Sequence, residues 1–338
     1  MIRPFRLTDI LATKRQQQIA LLDLPDSIVR GFAPAHFAAR SALGPARLGA
    51  NGIVYTNRMR LIAGCLYDSP RRGEDVRLIA LTGYSHEDAE ALAAWERLVE
   101  RTCLRAAGYG RLRVVARPEE GSTCAGMLHK LGFTIATRER ILARTVSAEP
   151  QNRPASFELL RSNDVWDAWK LYSRTEPLSV QRAEGLSPAS WWRGRRLRRR
   201  PFQEWILRNN GNAVVHLELH YGRHDAALRF HYEPEYSGSL SDATEHAIGV
   251  AARAKVNTVY CVVRDHQADL ESLLLDRGFV VAHSQVRLVL YTSVLSSVTD
   301  ALPSPGVERA PSGLRTGMTG LSQTDNAESG QNADWYNW

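Results

Sequence analysis

The stretch "HKLGFTIATRER", His129 to Arg140, returns in outline as "LDRGFVVAHSQV", Leu275 to Val286, with Gly132 answered by Gly278, 146 positions later (278 − 132). In both places an amphipathic segment of helical period stops at a Gly-Phe pair and an alternating, strand-like segment follows. A long fixed period that extends into the flanking elements implies two copies of one domain rather than one large fold. A chain of 338 residues has room for two such domains, each able to bury its own core.

The flanking elements do repeat. In the first copy "DVRLIALTGYS" reads as a strand entering a turn at Gly83, and His86–Gly108 as a helix with Leu92, Trp95, Leu98, Val99 and Cys103 on one stripe. "RLRVVAR" follows as a strand, "STCAGMLHKLG" as a helix and "FTIATRERILAR" as a strand. The second copy gives the same order in "ALRFHYEPEYSGS", "SDATEHAIGVAARAK", "VNTVYCVVR", "DLESLLLDRG" and "FVVAHSQVRLVLYTS". Ser85 with Asp88, and Ser239 with Asp242, read as capping boxes, in which a side chain at each end satisfies an orphan N–H of the first turn.

Upstream, "IRPFRLTDILATKRQQQIA" and "ASFELLRSNDVWDAWKLYS" each place a strand, a polar turn at Asp9 or Asp164, and a helix. Strand pairs come next, "GIVYT" and "RLIAGCLYD", then "FQEWILRN" and "NAVVHLELHYG". The reading is therefore an N-terminal domain over 1–146, a polar proline-containing linker at 147–154, a C-terminal domain over 155–296 and a tail at 297–338. The tail is expected to be flexible, because its apolar residues are too scattered to bury a core. It ends in Trp335, Tyr336 and Trp338, aromatics that suit a docking peptide for a protein partner.

This order, with "MLHKLGFT" and "LLLDRGFV" at the helix ends, resembles the GNAT superfamily of N-acetyltransferases, present as a tandem pair over about residues 1–296. The resemblance implies an α/β (α+β) fold of two domains, each a mixed twisted sheet flanked by helices. Acyl-coenzyme A would lie where the fourth and fifth strands splay apart. The implied reaction is attack of a deprotonated amine on the thioester carbonyl of acetyl-coenzyme A, with a small molecule or a protein as amine acceptor.

The family's Gly-rich pyrophosphate loop is absent from both copies, which read "TGYSHEDAE" and "EYSGSLSDATE". Thr82, Gly83 and Ser85, and Ser237, Gly238 and Ser239, occupy the matching places and are the candidate coenzyme contacts. Glu87, Asp88, Asp242 and Glu245 stand in or near the same helix starts, where carboxylates compete with a phosphate for the positive end of the helix dipole. The Tyr that protonates the departing thiolate in the family is matched by Leu128 and Leu274, and the Asn eleven residues before the Gly by Gly121 and Gln267. Glu233 and Glu235, and Tyr84 in the first copy, are the candidate catalytic groups. Three readings follow: an acyltransferase with divergent loops, a pair with one active half, or a catalytically inactive tandem binding module.

The net charge of +7 is concentrated in "WWRGRRLRRRPF", where Trp191, Trp192, Arg193, Arg195 and Arg196 form a candidate acceptor or partner surface. No nucleic-acid motif accompanies this segment, so nucleic acid is not the expected ligand. "HLELHYGRH" puts His216, Glu218 and His220 on one face of a strand, with His224 beyond. Two imidazoles and a carboxylate suit zinc or iron, but a polar strand face more commonly meets water, so no metal is expected. Trp166, Trp169 and Tyr172 lie at helical spacing and suit a core or an acceptor pocket. No apolar run spans a bilayer, the start lacks a secretory pattern, and four separated cysteines fit a reducing compartment, so a cytoplasmic location is expected.

Overall fold

A computed structural model describes residues 1–14, 18–23, 27, 50–58, 60–69, 74–83, 89–146, 157–189, 191, 202–222 and 224–293. All lie within one compact unit, Met1–Thr299. The linker at 147–154, the arginines at 193–200 and the tail from 297 lie outside the described residues.

The N-terminal half runs β1 (Ile2–Pro4), α1 (Asp9–Lys14), β2 (Gln18–Leu21), β3 (Ala50–Asn57), β4 (Arg60–Asp68), β5 (Asp75–Gly83), α2 (Ala89–Gly108), β6 (Arg113–Ala116), α3 (Thr123–Lys130) and β7 (Thr134–Thr145). The C-terminal half runs β8 (Glu158–Leu159), a 3-10 turn (Ser162–Asp164), α4 (Val165–Thr175), α5 (Leu178–Glu184), β9 (Phe202–Asn209), β10 (Asn212–Tyr221) and β11 (Asp225–Tyr232). A 3-10 helix (Pro234–Ser239), α6 (Leu240–Arg253), β12 (Thr258–Arg264), α7 (Ala268–Asp276) and β13 (Val280–Tyr291) complete it.

The repeated Gly-Phe pair is a repeated helix stop. Gly132 and Gly278 have φ of 90° and 77°, the left-handed region that a Cβ disfavours. The N–H of Phe133 then donates to Leu128 O at 3.1 Å, and that of Phe279 to Leu274 O at 3.0 Å, so each turn satisfies a carbonyl that the helix leaves open. The two leucines are fully buried, with Phe133 and Phe279 in the same cores, so the positions matched to the family's Tyr are packing positions here. The polar turns repeat too. Asp9 accepts from the N–H of Arg6 and Asp164 from that of Arg161, both at 2.8 Å.

All described strands join one mixed sheet in the order β1-β3-β4-β5-β6-β13-β7-β12-β11-β10-β9-β8, with β2 against β5. The last strand of each half has crossed into the middle. β13 lies between β6 and β7, and β7 also pairs with β12. The repeat thus becomes an approximate twofold axis, on which Glu139 of β7 and Gln285 of β13 are direct partners.

One face of the sheet is covered by α2 and α3 in the first half and by α6 and α7 in the second, through apolar clusters built on alternate strand residues. On the opposite face Ala183 of α5 packs on Val115 and Val289, so a helix of the second half covers strands of the first. The four cysteines are free and buried, and burial pushes the thiols of Cys65, Cys103 and Cys124 up to about 12, which leaves them inert at neutral pH.

Two local expectations are corrected. The segment "QIAL" is strand β2 rather than the end of a helix, because it finds the open edge of β5. Ser239 makes no side-chain cap. The chain arrives already wound as a 3-10 helix, and Ser239 itself is in the right-handed helical region.

Candidate active site

Each half has a pair of parallel strands that begin together and then part. In the first half β5 and β6 pair only over Asp75–Arg77 and Arg113–Val115. Past that point β2 runs antiparallel to β5, from Gln18 opposite Gly83 to Leu21 opposite Ala80. The other edge of β5 is held by β4, so β2 occupies the edge that turns toward β6. Leu22 completes the filling: its N–H donates to Ile79 O at 2.8 Å and its carbonyl accepts from the N–H of Arg117 at 2.7 Å. Main chain therefore fills the gap of the N-terminal half.

In the second half β11 and β12 pair over Asp225–Leu228 and Thr258–Cys261 and then part. Here a side chain spans the gap. The amide of Gln267 accepts from the N–H of Arg264 at 3.1 Å and donates to Phe230 O at 3.2 Å, taking the place of a missing strand. Tyr232, at the end of β11, donates a hydrogen bond to Asp269 at the start of α7.

On the α4 and α5 side of this gap stands a buried ionic cluster. Arg264, the last residue of β12, contacts Glu176 closely and lies 2.5 Å from Glu184, which also meets Arg287 at 2.5 Å and accepts from the Tyr172 hydroxyl at 2.7 Å. His231 of β11 places Nδ1 3.0 Å from Glu176. Burial alone would raise the Glu176 carboxyl, but Arg264 and the bond from His231 hold it down to about 2. Burial likewise opposes ionisation of Glu184, and Arg264 and Arg287 overcome it, so this carboxyl sits far below its usual range. Burial and the charge of Glu184 push the Tyr172 phenol upward. Glu176 and Glu184 are thus ionised and paired, and neither is poised to take a proton near neutral pH. A cavity of about 190 Å³ adjoins the cluster, lined by Asp23, Arg77, Arg117, Glu184, Arg229 and Arg287 among others.

No protein-family model matches the chain, and no curated protein matches it in sequence. Among solved structures, the GCN5-related N-acetyltransferase from Sphaerobacter thermophilus matches with a TM-score of 0.54 at 13% identity, over 86% of this chain and 95% of that one. The fold is that of the GNAT N-acetyltransferases. A tandem GNAT protein from the clavulanic acid biosynthesis pathway also matches, with a TM-score of 0.49 at 12% identity, over 86% of this chain and 98% of that one.

In GNAT terms the gaps are those between the fourth and fifth strands of each half. The candidate coenzyme contacts fall differently in the two. Thr82 is buried and its carbonyl accepts from Trp95 Nε1 at 2.9 Å, while a Cβ on Gly83 would stand 3.3 Å from the same indole nitrogen. Ser237, Gly238 and Ser239 are wound into the 3-10 helix, where amides are turned into i→i+3 bonds. Glu233 is half-buried and paired with Arg174 of α4 at 2.6 Å, and Glu235 is exposed. Tyr84, Ser85, Trp192, Arg193, Arg195 and Arg196 lie outside the described residues.

Trp191 is buried rather than on a surface, its ring 4.9 Å from that of Tyr172 and 5.8 Å from that of His231. Trp166 is exposed and stacks on Trp169. Of the polar residues in "HLELHYGRH", His216 and Glu218 are buried, His220 is half-buried and His224, beyond the strand, is exposed. The sequence reading did not single out His231, Glu176, Glu184 or Arg264. The two glutamates sit in "RTEPLSVQRAEGLS", which has the composition of a solvated helix pair, and only the docking of that pair onto arginines of β12 and β13 makes them central.

Proposed function

We propose that the chain is an N-acyltransferase that passes an acetyl or other acyl group from acyl-coenzyme A to an amine, and that only the C-terminal half acts. The supporting observation is the difference between the two gaps. Clearing the N-terminal gap would break the ladder between β2 and β5. Clearing the C-terminal gap requires only that the Gln267 and Tyr232 side chains change rotamer. In this reading coenzyme A takes up Phe230 O and the Arg264 N–H in place of Gln267, with its pyrophosphate against Ser237, Gly238 and Ser239 once the 3-10 turn unwinds to free their amides.

Glu233 receives the proton of the amine, with Glu235 beyond it. The amine nitrogen then attacks the thioester carbonyl, the C–N bond forms and the C–S bond breaks. The departing thiolate takes a proton from solvent, because Leu274 has none to give. Trp192, Arg193, Arg195 and Arg196 are the proposed acceptor or partner side, with the buried Trp191 anchoring the start of that segment. Thr82, Gly83, Tyr84 and Ser85 have no catalytic part in this reading. The halves are proposed as 1–146 and 155–296, and the compartment as the cytoplasm.

The experiment is calorimetric titration of the full chain with acetyl-coenzyme A and with coenzyme A. The expected result is one site per chain, tightened several-fold by Gln267→Ala and weakened by Gly238→Asp, whose new side chain has open space at Cβ and acts through its charge. Absence of saturable binding in both the natural chain and Gln267→Ala would overturn this reading. It would favour a second one, to which the closure of both gaps already lends weight: a catalytically inactive tandem GNAT-like module that binds a partner through its Arg-rich segment or its aromatic tail.

A further inference from the structure

We propose that His216, Glu218 and His231 form a binding site for one divalent first-row transition metal ion, with zinc or iron(II) as the natural candidates. Among the described residues these three each offer a ligand atom, all within 4.8 Å of one another, and all three are buried. The inference does not depend on acyl transfer.

The site is built on two adjacent strands. His216 of β10 and His231 of β11 are direct cross-strand partners, and their rings stack with centroids 5.7 Å apart and planes 9° apart. Glu218 lies two residues along β10 and so on the same face. Neighbouring strands of a central sheet hold such groups with little freedom, which reduces the ordering cost of binding an ion. Two imidazoles and one carboxylate are the donor set that zinc and iron(II) accept, and three protein ligands leave a coordination position open.

The surroundings support the ligands as a metal site requires. Nδ1 of His231 lies 3.0 Å from Oε1 of Glu176, and with Nδ1 as the donor of that hydrogen bond Nε2 carries the lone pair that binds a metal. Glu204 of β9 stands 3.5 Å from Nε2 of His216. Each imidazole therefore has a carboxylate against one ring nitrogen, the arrangement that fixes a ligating ring and raises its basicity. Glu218 in turn is 3.1 Å from Nε2 of His220. The ring of Trp191, 6.2 Å from His216 and 5.8 Å from His231, together with Tyr172, walls the group with apolar surface.

The test uses the full chain, freed of metal with a chelator and titrated with Co²⁺ and Zn²⁺. One Co²⁺ per chain is expected, with the visible absorption of a low-coordinate site, displaced by Zn²⁺ and accompanied by a rise in melting temperature. Glu218→Gln and His231→Gln should each weaken binding by about ten-fold or more, while the exposed His224→Gln should leave it unchanged. Should the buried variants fail to fold, X-ray absorption at the zinc edge of the natural chain decides the matter, since it must report two imidazoles and an oxygen donor. No uptake of either ion, uptake undisturbed by both buried variants, or an edge spectrum lacking two imidazoles would overturn the proposal.

Discussion

Gln285 donates from Nε2 to Oε2 of Glu139 at 2.6 Å, and the two are the same position of the repeat, 146 residues apart, meeting at the middle of the sheet. Arg117 stands 3.3 Å from Glu139 on one side and Arg264 3.9 Å on the other. Burial alone would raise the Glu139 carboxyl, but these arginines keep it below its usual range. Two copies of an acid here would put two charges in contact, so the chain departs from its own repeat at the position where identity would be costly.

Gln285→Glu therefore destabilises the fold by about 3 kcal/mol at pH 7. The repelled pair binds a proton more tightly folded than unfolded, so the penalty fades as pH falls from above the ordinary carboxylate range down to it. Thermal melts at pH 7 and pH 4 check this, and a loss independent of pH contradicts it.

The buried cluster makes the fold sensitive to acid. Glu176 is lowered from 4.5 to about 2, and Glu184 and Glu139 are lowered as well. Groups depressed in the folded state add stability that is complete above the unfolded value and is lost as pH falls through the folded one. Denaturant melts should therefore show stability falling progressively from about pH 4.5 toward pH 2. A Glu184→Gln variant should show a shallower decline.

Tyr172→Phe removes the donor to Glu184 without changing the packed volume. It should cost about 1 to 3 kcal/mol in chemical denaturation, the price of a buried charged acceptor losing one partner.

Gly132→Ala and Gly278→Ala should each cost about 1 to 2 kcal/mol, because both sites are left-handed, a Cβ at Gly278 meets no atom within 4 Å and one at Gly132 makes only an ordinary contact with Leu290 at 3.6 Å. Gly238→Ala, where no positive φ is imposed and the space is open, should stay within about 0.5 kcal/mol. Equal losses in the two halves, measured by thermal melting, would establish the stop as one device used twice.

Most strands and helices could be read from the chain, since periodicity and the Gly-Phe stops report local structure. β2 could not: four residues with no clear alternation become a strand only because β5 offers an edge. The exchange of β7 and β13 was also hidden, because alternation says which face a residue takes and nothing about which strand lies beside it. At the site, Glu233 and the region around Gly238 are candidates that the family resemblance suggests, whereas His231 reads as one more alternating residue of "RFHYEP". Its meaning comes from His216 opposite it and Glu176 above it, both distant in sequence.

The crossing of β13 between β6 and β7 also bears on how the chain comes off the ribosome. When Thr145 emerges, the first half has both neighbours of an absent strand and cannot join them. The strand that fits between them, β13, is made roughly 7 to 30 s later at ordinary elongation rates. During that interval the nascent first half carries two open edges of the kind that invite pairing with other chains. Within this sheet each half is completed by the last strand of the other, so a chain that stopped after Thr145 would carry open edges rather than the complete sheet.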